Sequence, residues 1–394
     1  MKRREFIIKT TTAVATLAGS RVRAAAPCPP PALAIDSDPP IATSCEPPPS
    51  WVPAPGQWAA VGLNTLLDVE GPAPVTGNPF ASDGGFHKIW AGGAYAPGYG
   101  GRYGSMIYGP NGGHSSYDGS DVYAYDIESR MCSLVRATYN PTSAGVNGFG
   151  EFPDGSPCPP HGYDGHVVLP NVGAQGTLVV PQSYTSLQDA NQRTAWSHLL
   201  DLATKEWRRG PDFVNPIHPA SAYDPVASLM WYYPEPLGPL TSFDGTKVVM
   251  YNNNSYAISQ PSVATLDTRR NQFVHLAFID DGQPNRLFVT DLANPDKEPG
   301  GVDMPSGGPS ANCAFEYVQD IDKIVGWGNG QTVYTLDPKN YAAGWQAQAV
   351  SGSVTPPSPP QGTYSKYMYC AGVRCLIGIS DVNQPAYAYR VIGT

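Results

Sequence analysis

The chain has 394 residues, among them 42 Gly and 42 Pro, and only 14% are charged where about 25% is usual. Such a composition excludes a helix-rich architecture, while 41% hydrophobic residues exclude wholesale disorder. The formal net charge of −9 counts against nucleic acid and anionic lipid as partners.

The N-terminus reads as an address. Lys2, Arg3 and Arg4 precede Phe6 and a short apolar segment, Thr10–Gly19, which is followed by Ala24–Ala26. This is the pattern of a twin-arginine export signal with a small-residue cleavage site, so residues 1–26 are predicted to be removed and the protein to be periplasmic or secreted. Removal takes away six basic residues and one acid, moving the net charge from −9 to −14. No apolar run reaches the roughly 20 residues that span a bilayer, so the mature chain is expected to be soluble, without membrane insertion. Residues 27–56 are dense in Pro and read as an extended lead-in.

From residue 57 to 394 one phrase recurs: a short β run, a Gly- or Asn-rich turn, an apolar run ending in Asp, then often Trp or Phe. Ser105–Gly113 leads to Asp121–Asp126, and Thr177–Val180 to Trp196–Asp201 and Trp207. Lys247–Tyr251 leads to Val263–Asp267 and Phe273, and Lys323–Gly330 to Val333–Asp337 and Trp345. A period of roughly 50 residues built from short strands is a β-propeller signature. The fold predicted is all-β, a propeller of six or seven four-stranded blades, the segment 211–310 being divisible in two ways. The C-terminal stretch offers three strands, and Gln57–Val61 would supply the fourth and close the ring. The shared Asp126, Asp201, Asp267 and Asp337 read as turn formers.

Seven cysteines in an oxidising compartment suggest disulfides, with Cys370–Cys375, Cys28–Cys45 and Cys132–Cys158 as candidate pairs.

The Gly-Gly turn, the strand Val122–Asp126 and the later Trp resemble the kelch repeat of galactose-oxidase-like propellers over most of 57–394. More specifically, Trp90–Tyr95, Gly112–Tyr123 and His161–Gly165 resemble motifs of exported bacterial kelch-like propellers, with the ulvan lyases similar in architecture and in their use of loop histidines. Pro160 stands where such relatives carry Arg. The resemblance implies that His114 lies between the second and third strands of a blade and His161 between blades, so that both emerge at one mouth, with His218 as a further candidate. A lyase acting on a uronate-containing polysaccharide needs a base, an acid and a cation for the carboxylate. The expected roles are His114 or His161 as base, Tyr117 or Tyr163 as acid, and Arg102, Tyr95 and His218 in substrate binding; Arg193, Arg208 and Arg286 are other candidate cations. His166, His198 and His275 read as structural. The alternative function is a non-catalytic propeller binding glycan or an envelope protein. No organic cofactor is implied, and a Zn or Ca ion at the mouth is compatible but not required. A monomer is expected. The sequence contains no Tyr-His pair, which argues against a copper-radical oxidase, and no G-x-S-x-G elbow.

Overall fold

The computed structural model describes residues 48–70, 87, 91–111, 119–139, 147, 149–160, 162–181, 196–213, 219–234, 238–251, 259–278 and 285–394. These residues form six four-stranded antiparallel sheets arranged as propeller blades. The chain opens with β1 (Trp58–Ala60). Blade 1 follows with β2 (Gly93–Ala96), β3 (Ser105–Tyr108), β4 (Val122–Asp126) and β5 (Met131–Arg136). Blade 2 holds β6 (Val167–Leu169), β7 (Thr177–Val180), β8 (Trp196–Asp201) and β9 (Glu206–Asp212). Blade 3 holds β10 (Ala220–Asp224), β11 (Leu229–Tyr233), β12 (Thr241–Phe243) and β13 (Val248–Met250), and blade 4 holds β14 (Ser259–Asp267), β15 (Gln272–Phe278), β16 (Arg286–Asp291) and β17 (Gly300–Asp303). Blade 5 contains β18 (Ala314–Val318), β19 (Lys323–Trp327), β20 (Tyr334–Leu336) and β21 (Gln346–Ala347), and blade 6 contains β22 (Tyr367–Cys370), β23 (Cys375–Gly378) and β24 (Tyr387–Arg390). The ambiguous segment 211–310 thus holds all eight strands of blades 3 and 4, giving six blades among the described residues.

Both faces of each sheet are covered by neighbouring blades, so a strand distributes its side chains by parity. In blade 2, Val168, Leu178 and Leu200 pack with Ala94, Ile107 and Ala124 of blade 1. Val167, Val179 and Leu199 instead pack with Met230, Tyr232 and Phe243 of blade 3. This two-sided burial explains why the strands read as continuous apolar or Tyr-rich runs rather than alternating ones.

The ring closes as expected. β1 pairs antiparallel with β24, Trp58 opposite Tyr389, and completes blade 6. Trp58 is 3% exposed and lies against Trp327, Tyr389 and Tyr367, with ring centroids 4.9, 5.2 and 6.0 Å away. Its Nε1 donates to the Gln331 carbonyl at 3.0 Å. Trp51 and Val52, from the last residues of the Pro-rich lead-in, pack on the core formed by blades 1 and 6.

The repeated Asp residues bind turn amides: Asp201 Oδ1 accepts from Ala203 and Thr204, and Asp267 Oδ1 from Arg269 and Arg270. They do not share one position, however. Asp126 and Asp201 end third strands, whereas Asp267 ends the first strand of blade 4, and Lys247–Tyr251 belongs to the blade before it. The third copy of the repeat was therefore read out of phase. First-to-second and third-to-fourth turns emerge at the same end of a blade, and an Asp serves either turn equally well.

The expected disulfides are absent from the described residues: Cys132, Cys158, Cys313, Cys370 and Cys375 are buried thiols. Cys370 and Cys375 do stand opposite each other across β22 and β23. Their sulfurs turn apart, Cys370 Sγ to the Tyr95 hydroxyl and the Tyr103 carbonyl at 3.6 Å, Cys375 Sγ to the Val373 carbonyl at 3.2 Å. Cys28 and Cys45 lie outside the described residues.

Candidate functional site

Each blade has two ends. The β2–β3 and β4–β5 turns share one end, and the β3–β4 and β5–β6 connections leave from the other. His114, Tyr117, His161 and His218 lie outside the described residues, but the ends of two of the segments that carry them are described. Asn111 Nδ2 donates to the Gly92 carbonyl at 3.0 Å, and Gly162 packs so closely on Asn111 that a Cβ there would collide with its Oδ1. The chain entering the β3–β4 connection and the chain leaving residue 161 therefore meet beside the start of blade 1.

Of the remaining candidates, Tyr163 is near this junction but is buried, with φ 42° and its ring edge-on to Tyr364 at 5.4 Å. Arg102 is elsewhere. It sits in the β2–β3 turn, at the opposite end of the blade, exposed beside Tyr103 and 3.8 Å from Glu128. Tyr95 lies on the innermost strand of blade 1, its hydroxyl donating to the Tyr103 carbonyl at 2.8 Å. The structure thus brings neither Arg102 nor Tyr95 to the end where Asn111 and Gly162 meet. His198 and His275 are buried within β8 and β15, and burial depresses their pKa values to about 4 and about 3.

A cavity of about 410 Å³ lies on the axis, lined by the first strands of the six blades. Its rim is made by residues of the first-to-second turns, Pro97, Pro225, Gln319 and Ala371, all exposed. At its depth lie Asp164, His166, Ser221 and Ser365, each at most 6% exposed. Between the two levels stand Glu316 and the rings of Tyr95, Tyr223, Tyr317 and Tyr369. Two phenol hydroxyls are held from outside the cavity, Tyr317 donating to Asp322 Oδ1 at 2.9 Å and Tyr223 accepting from Asn171 Nδ2 at 3.4 Å, while Tyr369 donates at 3.4 Å to Oδ2 of Asp320, itself part of the lining.

The sequence places these groups by simple means. Asp164 and His166 occupy the approach to β6, where Asp164 Oδ2 accepts from the Ala264 amide at 2.7 Å and its carbonyl accepts from Ser221 Oγ at 2.6 Å. Glu316 is the central residue of β18. Burial pushes both carboxyls well above the usual carboxylate range, and the charge of Asp164 raises Glu316 further. His166 is 3% exposed, and burial lowers its pKa to about 4 against a weaker opposite pull from the Gly92 backbone. No hydrogen bond of full geometry reaches either ring nitrogen among the described residues. The nearby Lys366 is no counter-ion for the acids, since its Nζ donates to the Pro360 and Gly362 carbonyls at 3.3 and 3.1 Å and burial lowers its pKa to about 7. Among the described residues no three His, Cys, Asp or Glu side chains are grouped to hold a metal ion.

Asp164 sits inside the His161–Gly165 motif, where the His and Tyr beside it are the more conspicuous candidates for chemistry. Glu316 gave one signal, a lone carboxylate between Phe315 and Tyr317 in an otherwise apolar strand.

No known protein family matches the chain, nor does any curated protein. Among solved structures it is similar to a protein of unknown function from Bacteroides thetaiotaomicron, with 9% identity, 84% of this chain and 75% of that chain covered, and a TM-score of 0.47. An auxiliary nutrient binding protein from Bacteroides ovatus gives the same identity, coverage and TM-score of 0.47. An alpha-L-arabinofuranosidase from Fusarium graminearum is 11% identical, with 81% and 96% covered and a TM-score of 0.46.

Proposed function

We propose that this chain is an exported glycan-binding propeller that takes a saccharide unit into its axial cavity. The observation that carries this reading is the lining: four tyrosines, the hydroxyls of Tyr223 and Tyr317 held by residues outside the cavity, that of Tyr369 by Asp320 of the lining and that of Tyr95 within blade 1, above a buried floor of hydroxyl and carboxyl groups. Tyrosine faces suit the apolar faces of pyranose rings, and neutral carboxyls both donate and accept hydrogen bonds to sugar hydroxyls. A volume of about 410 Å³ falls in the range of roughly 300–1,000 Å³ common to small-molecule sites.

The meeting of Asn111 and Gly162 favours a second reading, β-elimination at the other end by His114 and His161. Tyr163 is buried there, which leaves Tyr117 as the acid, and Arg102 is too far round the blade to neutralise a carboxylate. The kelch and ulvan-lyase resemblance belongs to this reading.

One experiment separates them. The secreted form is incubated with a panel of uronate and neutral polysaccharides while glycan binding and the ultraviolet absorbance of a new conjugated double bond are followed. Retained binding with a flat trace supports the binding propeller. A rising trace that falls on the order of a hundredfold in both His114→Ala and His161→Ala supports the lyase. Absence of binding to every glycan refutes the axial reading.

A further inference from the structure

The axial cavity carries acids but no Lys or Arg, and Asp164 and Glu316 both face it. Two carboxyls buried within each other's field are costly to ionise unless a cation joins them. Among the described residues no Lys or Arg lines the cavity, and the Lys366 ammonium, next in sequence to Ser365 of the lining, donates to two backbone carbonyls. A second feature lies in the same space. His166, 3% exposed, lines the cavity, and among the described residues no hydrogen bond of full geometry reaches either ring nitrogen, the Gly92 backbone making only a weaker approach. That leaves at least one ring nitrogen open to a ligand in the cavity.

We propose that the axial cavity selects a sugar bearing a free ammonium group, the ammonium lying between Asp164 and Glu316 while His166 accepts a hydrogen bond from the ligand. This rests on the glycan reading above and names the ligand class. Burial keeps the imidazole neutral, so it accepts without adding a repelling charge. A metal ion fits less well, because no three ligating side chains are grouped among the described residues and the space far exceeds a single ion.

Proton balance gives the proposal a distinctive readout. In the empty cavity burial favours the protonated carboxyls; an arriving ammonium favours their carboxylates, so binding near neutral pH expels a proton to buffer. Titration calorimetry on the secreted chain, in two buffers of different ionisation enthalpy, would use glucosamine, glucose, N-acetylglucosamine and calcium chloride as probes. We expect glucosamine to bind at least tenfold more tightly than glucose or N-acetylglucosamine, with heats that differ between buffers by the amount proton release requires. Glu316→Gln, which keeps shape and removes the charge, should weaken glucosamine at least tenfold, reduce proton release and melt no lower than wild type. Equal affinity for glucosamine and glucose overturns amine selection and leaves the glycan reading standing. Binding of none of the sugars overturns both. Calcium displacing glucosamine, or glucosamine binding with buffer-independent heat, overturns the proposed ammonium site.

Discussion

Replacing Trp58 by Ala tests whether the pairing of the chain's two ends holds the ring closed. The indole is buried among Trp327, Tyr367 and Tyr389, and its N–H reaches the Gln331 carbonyl. Truncating a buried Trp costs about 3–5 kcal/mol, and the lost hydrogen bond adds about 1 kcal/mol. A domain of about 350 residues unfolds with an entropy of roughly 0.7 kcal/mol per degree. The expected fall in melting temperature is therefore about 6–8 °C by calorimetry. Trp58→Phe, which keeps a ring but not the donor, should lose less than half as much. A fall under about 2 °C for the alanine variant would refute the claim that this contact secures closure.

Asp322 joins blades 4 and 5: Arg270 donates to both its oxygens at 2.8 and 2.7 Å, Lys339 Nζ lies 3.2 Å away and Tyr317 adds a third donor. Burial alone would raise its pKa, but Arg270, with Tyr317 and Lys339, outweighs this and holds the carboxyl well below the usual range. A depressed carboxylate pKa stabilises the fold above the unfolded value of about 3.9, and that contribution shrinks as pH falls below it. Asp322→Asn should therefore cost about 2–3 kcal/mol at pH 7, with the gap to wild type narrowing below about pH 4 in urea titrations. A gap that ignores pH would contradict the assignment. Gly162→Ala should lower stability by about 1–3 kcal/mol by forcing Asn111 off Gly92, whereas Gly300→Ala, with nothing within 4 Å of the added methyl, should be nearly silent in the same melt.

The fold was legible because its signals are local. Gly-rich turns, short β runs and Asp-capped hairpins recur in the sequence, and Gln57–Val61 announced itself as the missing strand. Blade phase was harder to read, since Asp201 and Asp267 make the same turn on different strands. The axial groups were harder still. Asp164, Glu316 and His166 lie far apart in sequence and converge only because the innermost strands of blades 2 and 5 face one axis, a relation no window of sequence contains. Arg102 shows the reverse failure, for it is close in sequence to the motif it was meant to serve and is carried to the other end of the blade by one β-strand.

The contribution of β1 to the last sheet sets an order of events during biosynthesis. Trp58 bonds to a residue 273 positions later, and its strand pairs still further on, so an emerging chain must hold an unpaired aromatic segment until nearly everything else has been made. Up to that moment five sectors stand as an open arc with two sticky edges. Ribosomes stalled within the final sector should release aggregation-prone products, and a route that exports only finished molecules would hold such arcs back inside the cell.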